Sequence, residues 1–279
     1  MKAGDVMDDV NFTYADPADP LFKRKLIGLV ERVSGQRALK RLYLDNRRRP
    51  TPGESFFAAC VRQLALDVRY DAAAFAAIPC TGAMVFVSNH PYGVLDGIVL
   101  SHLVARVRGD FLVLTNAVLL RAPEIGAHVL PVDFAATPAA QAINIASRAR
   151  ARAHLAQGGA LVVFPAGGVS TTPDRLGREP AIDAPWGPLA AQMIQRARAT
   201  VVPVRFAGQN SRLFQLASHL SQTLRLSLIF HEVRRRIGTR VDVGIGAPIP
   251  FADLKGLDRQ ALTDRLRATV DALPTPSDA

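Results

Sequence analysis

The chain has 279 residues, which suits one large α/β domain or two small ones and is ample for a hydrophobic core. Hydrophobic residues make up 49%, a share that excludes a disordered chain. The net charge of +10 suits an anionic partner, either phospholipid headgroups or nucleic acid, and its bland alternative is a solvated basic helix face.

The first residues, MKAGDVMDDVNF, are acidic and lack the apolar stretch of a secretory signal. Residues 20–48 read as a basic amphipathic helix. Leu21, Phe22, Leu26, Leu29, Val30 and Val33 recur at three- and four-residue steps, and Leu39, Leu42 and Tyr43 continue the pattern. Between Lys23 and Arg49 ten basic residues stand against only Glu31 and Asp45. At an anionic membrane surface each such base contributes about 1 kcal/mol, so this segment can hold a soluble body on a bilayer. RRRPTPGES, residues 47–55, breaks the helix with two prolines and a glycine, and Phe56 to Val68 resumes helical spacing. Cys60 and Cys80 form no disulfide framework and have no metal-ligand spacing, which fits a reducing compartment. No run approaches the ~18 uninterrupted apolar residues of a membrane-spanning helix.

From residue 83 the texture changes. AMVFVS, FLVLT, HVLPVDF, ALVVFPAGG, TVVPVRFAG and RVDVGIGAPI are short apolar runs, each followed by loop chemistry. Helical patterns lie between them near 97–107, 138–157, 185–199 and 212–237, and a last helix is expected from Asp258 to Leu273. This alternation predicts an α/β fold with a mixed, largely parallel sheet covered by helices on both faces. The expected division is a basic helical segment over residues 1–79 and a catalytic-type domain over 80–279. In such sheets the working residues sit at the carboxyl ends of strands.

Two motifs fall there. In VFVSNHPYGVLDGIVL, residues 85–100, an apolar strand ends on Asn89-His90, and Asp96 follows after a proline and a glycine. Histidine is the common general base near neutral pH, and a carboxylate on one ring nitrogen fixes its tautomer. Asp96 also precedes a helix, where it would serve as an ordinary cap. Spacing alone leaves both readings open. In VVFPAGGVS, residues 162–170, Gly167 and Gly168 permit a turn whose successive N–H groups can cradle an anion. It matches neither the phosphate-binding P-loop nor the dinucleotide fingerprint, and Ser170 lacks a nucleophile elbow. GQNSRLF, residues 208–214, follows a buried strand, where Asn210 and Ser211 either cap a helix or form part of a site wall. Asp183 and Trp186 lie in the Pro-rich AIDAPWGP loop, which is a candidate wall for an acceptor channel. The remaining histidines have no partner at metal-ligand spacing, so no metal is expected.

Taken in order, NHPYGVLDG, NAVLLRAPEIGAHVLPVDF, FPAGGVS and VVPVRFAGQNSRLF resemble the glycerolipid acyltransferase superfamily. The closer resemblance is to its hemolysin-like and lyso-ornithine-lipid branch, and it covers roughly residues 80–250. The resemblance implies a glycerol-3-phosphate acyltransferase-like fold. It implies that His90 deprotonates an acceptor hydroxyl, with Asp96 orienting and charge-balancing the ring. The hydroxyl then attacks the thioester of an acyl-carrier-protein or acyl-CoA co-substrate, with no bound cofactor. Asn89, Gly93, Phe164, Pro165, Ala166, Gly167, Gly168, Arg121 and Asn210 are the implied substrate-binding positions.

The sequence departs from the family pattern at three places. Five residues separate His90 from Asp96 where four are usual. Ala166 stands where phosphate-handling members carry glutamate. Asp133 is followed by Phe134, without the arginine expected near that block. These departures point away from lysophosphatidate and towards a lysolipid with another headgroup, such as lyso-ornithine lipid. Arg175, Arg178, Arg205 and Arg212 are further candidates for an anion site. The expected setting is the cytoplasmic face of a bacterial inner membrane, held peripherally. The alternatives are a lysophosphatidate acyltransferase and a non-enzymatic lipid-binding surface protein. No nucleic-acid-binding signature accompanies the charge.

Overall fold

The structure, a computed structural model, describes residues 35–116 and 123–278 and the single positions 21, 25 and 28. Most of the basic segment expected to be helical before residue 35 lies outside the described residues, as does Arg121.

Seven strands form one sheet: β1 (Asp67–Arg69), β2 (Met84–Ser88), β3 (Phe111–Asn116), β4 (Val129–Val132), β5 (Ala160–Val163), β6 (Thr200–Phe206) and β7 (Arg240–Ile245). Their order is β1-β7-β6-β2-β5-β3-β4, and every pairing is parallel except β6 with β7. The expected mixed, largely parallel sheet is therefore present. Among the described residues ten helices accompany it: α1 (Gln36–Arg48), α2 (Phe56–Gln63), α3 (Ala72–Ala76), α4 (Val94–Val107), α5 (Pro138–Ala156), α6 (Leu189–Ala197), α7 (Arg212–Leu220), α8 (Gln222–Ser227), α9 (Ile229–Arg235) and α10 (Arg259–Asp271).

The strands read as continuous apolar runs because helices cover both sheet faces. Successive side chains point to opposite faces. Met84 and Phe86 of the central strand β2 therefore join a core with Phe57 of α2, Val99 and Leu103 of α4, and Val233 of α9. Val85 and Val87 face the other way and meet Leu155 of α5, Ile194 of α6, and Leu262, Leu266 and Val270 of α10. Leu262, Leu266 and Val270, spaced four apart, form the buried face of α10. Asp258 caps α10 by accepting the Ala261 N–H at 2.8 Å.

Two expected elements differ. The stretch 56–68 is not one helix. It ends at Gln63, Ala65 takes a left-handed conformation at φ 48°, and residues 67–69 pair with β7. No glycine or proline marks that stop. The chain turns because Leu64 and Leu66 are drawn into the core. β1 thus lies before the boundary expected at residue 80 and joins the same sheet as the strands beyond it. The stretch 212–237 divides into α7, α8 and α9: Ser221, extended at φ −163° and ψ 129°, separates α7 from α8, and Leu228 stands between α8 and α9.

At the amino-terminal end of the sheet, Arg108 is 6% exposed and binds three groups. It donates to the Gly82 and Gly158 carbonyls at 2.8 and 2.6 Å and pairs with both oxygens of Asp110. This ties the turns entering β2, β3 and β5. Hydrogen bonds to a charged group each contribute about 1.5–3 kcal/mol. Arg108→Ala is expected to lower stability by about 3 kcal/mol. Chemical denaturation should show this as a lower midpoint with an unchanged slope.

Candidate active site

The site is assembled where β2, β5 and β6 end. β2 stops at Ser88, and the next two residues divide the work. Asn89 turns its amide onto the end of β6, donating to the Phe206 carbonyl at 2.9 Å and accepting the Phe206 N–H at 2.8 Å. This side chain replaces one rung of the ladder after the strand has ended, so the backbone is free to diverge. His90 begins the divergence. Its N–H donates to Asp183 Oδ1 at 3.2 Å and its carbonyl accepts the Ser170 N–H at 2.9 Å.

The turn Pro91-Tyr92-Gly93 then leads into α4. Asp96 is the third residue of that helix and is wholly buried. Its Oδ2 accepts the N–H groups of Tyr92 and Gly93 at 2.8 and 2.9 Å. The same oxygen lies 3.1 Å from His90 Nδ1. The ring N–H direction is off the line of a good hydrogen bond, so this is a close contact rather than a linear bond, and Oδ1 has no hydrogen-bond partner among the described residues. The N-cap of α4 is Gly93, and Asp96 stands three residues further on, where its carboxylate serves both the helix start and the histidine. The five intervening residues are spanned by the turn and the first helical turn together.

Burial pushes the Asp96 carboxyl above its ordinary value, while His90 and the two backbone N–H groups pull it back. His90 is 18% exposed at its side chain, and its Nε2 has no partner among the described residues. The Phe164 ring stacks on the imidazole, with centroids 4.2 Å apart and planes at 32°. A histidine held on one nitrogen by a buried carboxylate, with the other nitrogen unengaged, is equipped to accept a proton from a bound hydroxyl.

The Phe164–Gly168 loop follows β5. Phe164 and Ala166 pack against the cores on opposite sheet faces. Gly167 closes the turn at φ 68° with its N–H on the Phe164 carbonyl, and the Pro165 carbonyl accepts the Gly187 N–H. Asp183 was read from sequence only as a channel-wall candidate, and it proves to be a hub. It accepts from the His90 N–H, Ser170 Oγ and Trp186 Nε1, and its carbonyl accepts from Arg267. No spacing rule links residues 90, 170, 183 and 267. Tyr92 was another residue the sequence did not single out. Its hydroxyl donates to the Ala207 carbonyl at 2.5 Å, its ring lies under the Arg236 guanidinium at 4.2 Å, and burial raises its pKa to about 12.

Asn210 is buried, and neither amide atom has a partner among the described residues. The adjacent Ser211 gives its hydroxyl and N–H to Glu232 and caps α7. The other arginines considered as anion ligands are variously placed. Arg205 is engaged by the Leu273 carbonyl and Asp278, and Arg212 by the Leu176 carbonyl, while Arg175 and Arg178 are exposed. Among the described residues no three His, Cys, Asp or Glu side chains come together as metal ligands.

Beyond the first turn of α4, immediately past Asp96, an apolar cavity opens between α1, α2, α4 and β3. Leu39, Leu42, Phe57, Val94, Ile98 and Val113 line it. Gly97 contributes open space, since a side chain there would meet nothing within 4 Å.

The family described as "Acyltransferase" matches residues 37–254. The chain belongs to this acyltransferase family. Two curated relatives are lyso-glycine lipid O-acyltransferases. That of Bacteroides thetaiotaomicron is 25% identical over 206 residues, covering 71% of this chain and 72% of the relative. That of Phocaeicola vulgatus is 24% identical, covering 71% and 70%. A solved structure, the 1-acyl-sn-glycerophosphate acyltransferase PlsC of Thermotoga maritima, matches with a TM-score of 0.47 and 14% identity, over 89% of this chain and 78% of that one. The family match spans every element that builds the site, from α1 to the end of the Phe251–Leu254 turn.

In this acyltransferase Gly93 is the tightest constraint on the His90 turn. It sits at φ 80°, and an added Cβ would stand 2.9 Å from Val169 Cγ2 and 3.3 Å from Ile229 Cδ1. Gly93→Ala is expected to cost about 2 kcal/mol from backbone strain and overpacking. Denaturation should show that loss, and turnover should fall with it because Asp96 is anchored on the Gly93 N–H.

Proposed function

We propose that this acyltransferase moves a fatty acyl group from a thioester, carried by acyl-carrier protein or CoA, to the hydroxyl of a lysolipid whose headgroup is an amino acid. The observation that carries the mechanism is the His90–Asp96 contact at 3.1 Å with Nε2 left unengaged. An alcohol is a weak nucleophile, so the reaction needs a base at the moment of attack. His90 Nε2 takes the hydroxyl proton as the alcohol oxygen bonds to the thioester carbonyl carbon. The carboxylate of Asp96 stabilises the imidazolium. Collapse of the tetrahedral intermediate breaks the carbon–sulfur bond, and the imidazolium returns its proton to the departing thiolate. The products are an ester and a free thiol, and His90 is regenerated.

Three further observations support the reading. The apolar cavity is lined by Val94, Gly97 and Ile98 of the helix that carries Asp96, and it offers an acyl chain an apolar slot. The two curated relatives act, by name, on a lyso-glycine lipid. Ala166 and Phe134 occupy positions where a phosphate-binding member would carry polar side chains, so an acceptor without phosphate suits them. Glycine and ornithine share a carboxylate, and an amino-acid headgroup of that kind is the acceptor class proposed. The test is to incubate the enzyme with acyl-CoA or acyl-carrier protein and hydroxylated N-acyl amino acids, and to follow ester formation by mass spectrometry. His90→Ala and Asp96→Asn are expected to lower turnover by about 10²–10⁴-fold while the fold persists. Full activity in His90→Ala would end the mechanism, and absence of ester with every acceptor would end the assignment.

The membrane reading rests on α1. Its inner face packs Leu39, Leu42 and Tyr43 against the core, and Arg37 and Arg41 stand exposed one turn apart. Among the described residues no helix is long and apolar enough to cross a membrane. Peripheral attachment to the cytoplasmic face of a bacterial inner membrane is the setting proposed. Replacing Arg37 and Arg41 by glutamine removes two charges of about 1 kcal/mol each, so partitioning onto anionic vesicles should drop roughly thirtyfold. Cosedimentation at low and high salt measures this, and binding indifferent to both changes would remove the electrostatic attachment.

A further inference from the structure

The loop after β5 has a cation against it that no carboxylate among the described residues neutralises. Arg225 of α8 reaches back across α7 and donates from Nη2 to the Val169 carbonyl. Its guanidinium lies 5.7 Å over the Phe214 ring, and the residue is partly buried. No carboxylate among the described residues stands within ion-pair distance of it. Desolvation is the one influence on its charge, and it pulls the pKa below the usual arginine value. The other arginines weighed as anion ligands are engaged by the chain, exposed, or outside the described residues. A partly buried guanidinium with five donors, one of them spent on a carbonyl, is an incomplete arrangement.

Its position links it to the reaction. Gly168 is the residue beside it: a Cβ at 168 would lie 3.9 Å from Arg225 Nη2, in ordinary van der Waals contact. Val169, whose carbonyl Arg225 holds, packs its side chain against Gly93 of the His90 turn. Ser170, the next residue, donates its N–H to the His90 carbonyl. The cation therefore stands at the wall shared by the Phe164–Gly168 loop and the histidine turn, on the stretch of loop that flanks the base.

We propose that Arg225 is a specificity-determining residue that binds the carboxylate of the acceptor headgroup. This rests on the acceptor class assigned above and adds the group that recognises it. Guanidinium and carboxylate match as a planar, bidentate pair, and the partly desolvated setting strengthens the pairing over one in open water. A carboxylate held there leaves the hydroxyl-bearing chain of the same molecule to extend along the loop towards His90.

The test uses equilibrium binding without an acyl donor, so it reads recognition apart from transfer. The probes are N-(3-hydroxydecanoyl)glycine and its methyl ester, titrated calorimetrically below their micelle concentrations into the full chain. The wild-type protein is expected to bind the acid at least tenfold more tightly than the ester. Arg225→Gln should bring the two within about twofold by weakening the acid alone. Arg225→Lys should keep part of the preference, and it serves as the test if the glutamine variant does not fold. The proposal is overturned if the wild-type protein does not discriminate, or if the variants weaken acid and ester equally, which is the signature of a clamp on Val169 only. A stronger preference for a lysophosphatidate of the same chain length that is lost in Arg225→Gln would also overturn it, as the site would then be a phosphate site. Discrimination by a protein that transfers no acyl group would leave Arg225 assigned and remove the transferase reading. Transfer without discrimination would do the reverse.

Discussion

One buried carboxylate organises the centre of this molecule. Asp96 has no solvent exposure, and an ionised carboxyl in such a place is costly unless it is bonded and charge-matched. Oδ2 meets that requirement with two backbone N–H groups and an imidazole nitrogen at once. The demands on the surrounding chain follow. The N–H groups of Tyr92 and Gly93 converge on one oxygen only if Gly93 adopts a positive φ. The helix must begin at Val94, earlier than the apolar pattern alone implied, so that Asp96 falls at its third position. The ring of His90 must then hang over that same turn. A helix start and the imidazole of His90 are thus held by one group.

The sheet supplies the fixed frame for that arrangement. Chain ends of β2, β5 and β6 are tied together by groups outside the ladder. Asn89 pairs both ways with the Phe206 backbone, Tyr92 reaches the Ala207 carbonyl, and Ser170 bonds to the His90 carbonyl. Asp183 gathers His90, Ser170 and Trp186 from a loop that has no regular structure. Such cross-links lower the freedom of residues that would otherwise be loop tips, which suits a site that must hold a ring nitrogen to within a fraction of an ångström. The apolar cavity lies on the α1, α2 and α4 side, so the elements before residue 80 are part of the site's wall as well as of the core.

Much of this was readable in the amino-acid order. The six apolar runs after residue 83 became six strands, because a strand buried on both faces must be apolar throughout. The α5 and α10 helices matched their periodicity to within two residues at each end. NHPYGVLDG announced itself as a strand-to-helix turn carrying a base and an acid. Other features left no local mark. The strand at 67–69 hides in what reads as helix, since its three residues carry a mixed polar pattern and pair at the edge of the sheet. The break at Ser221 has no glycine or proline.

The sequence by itself determined the class of the fold, the place of His90 and Asp96 at a strand's carboxyl end, and the family. These rest on local spacing and on apolar periodicity, which a linear order records directly. Only the tertiary structure decided whether Asp96 serves the helix start or faces His90, and the answer was both, since one oxygen's three neighbours depend on backbone direction. Tertiary structure alone also brought Asp183 to the histidine turn and set Arg225 beside Gly168. Contacts between residues dozens of positions apart are chosen by how the layers pack, and no spacing in the chain encodes them.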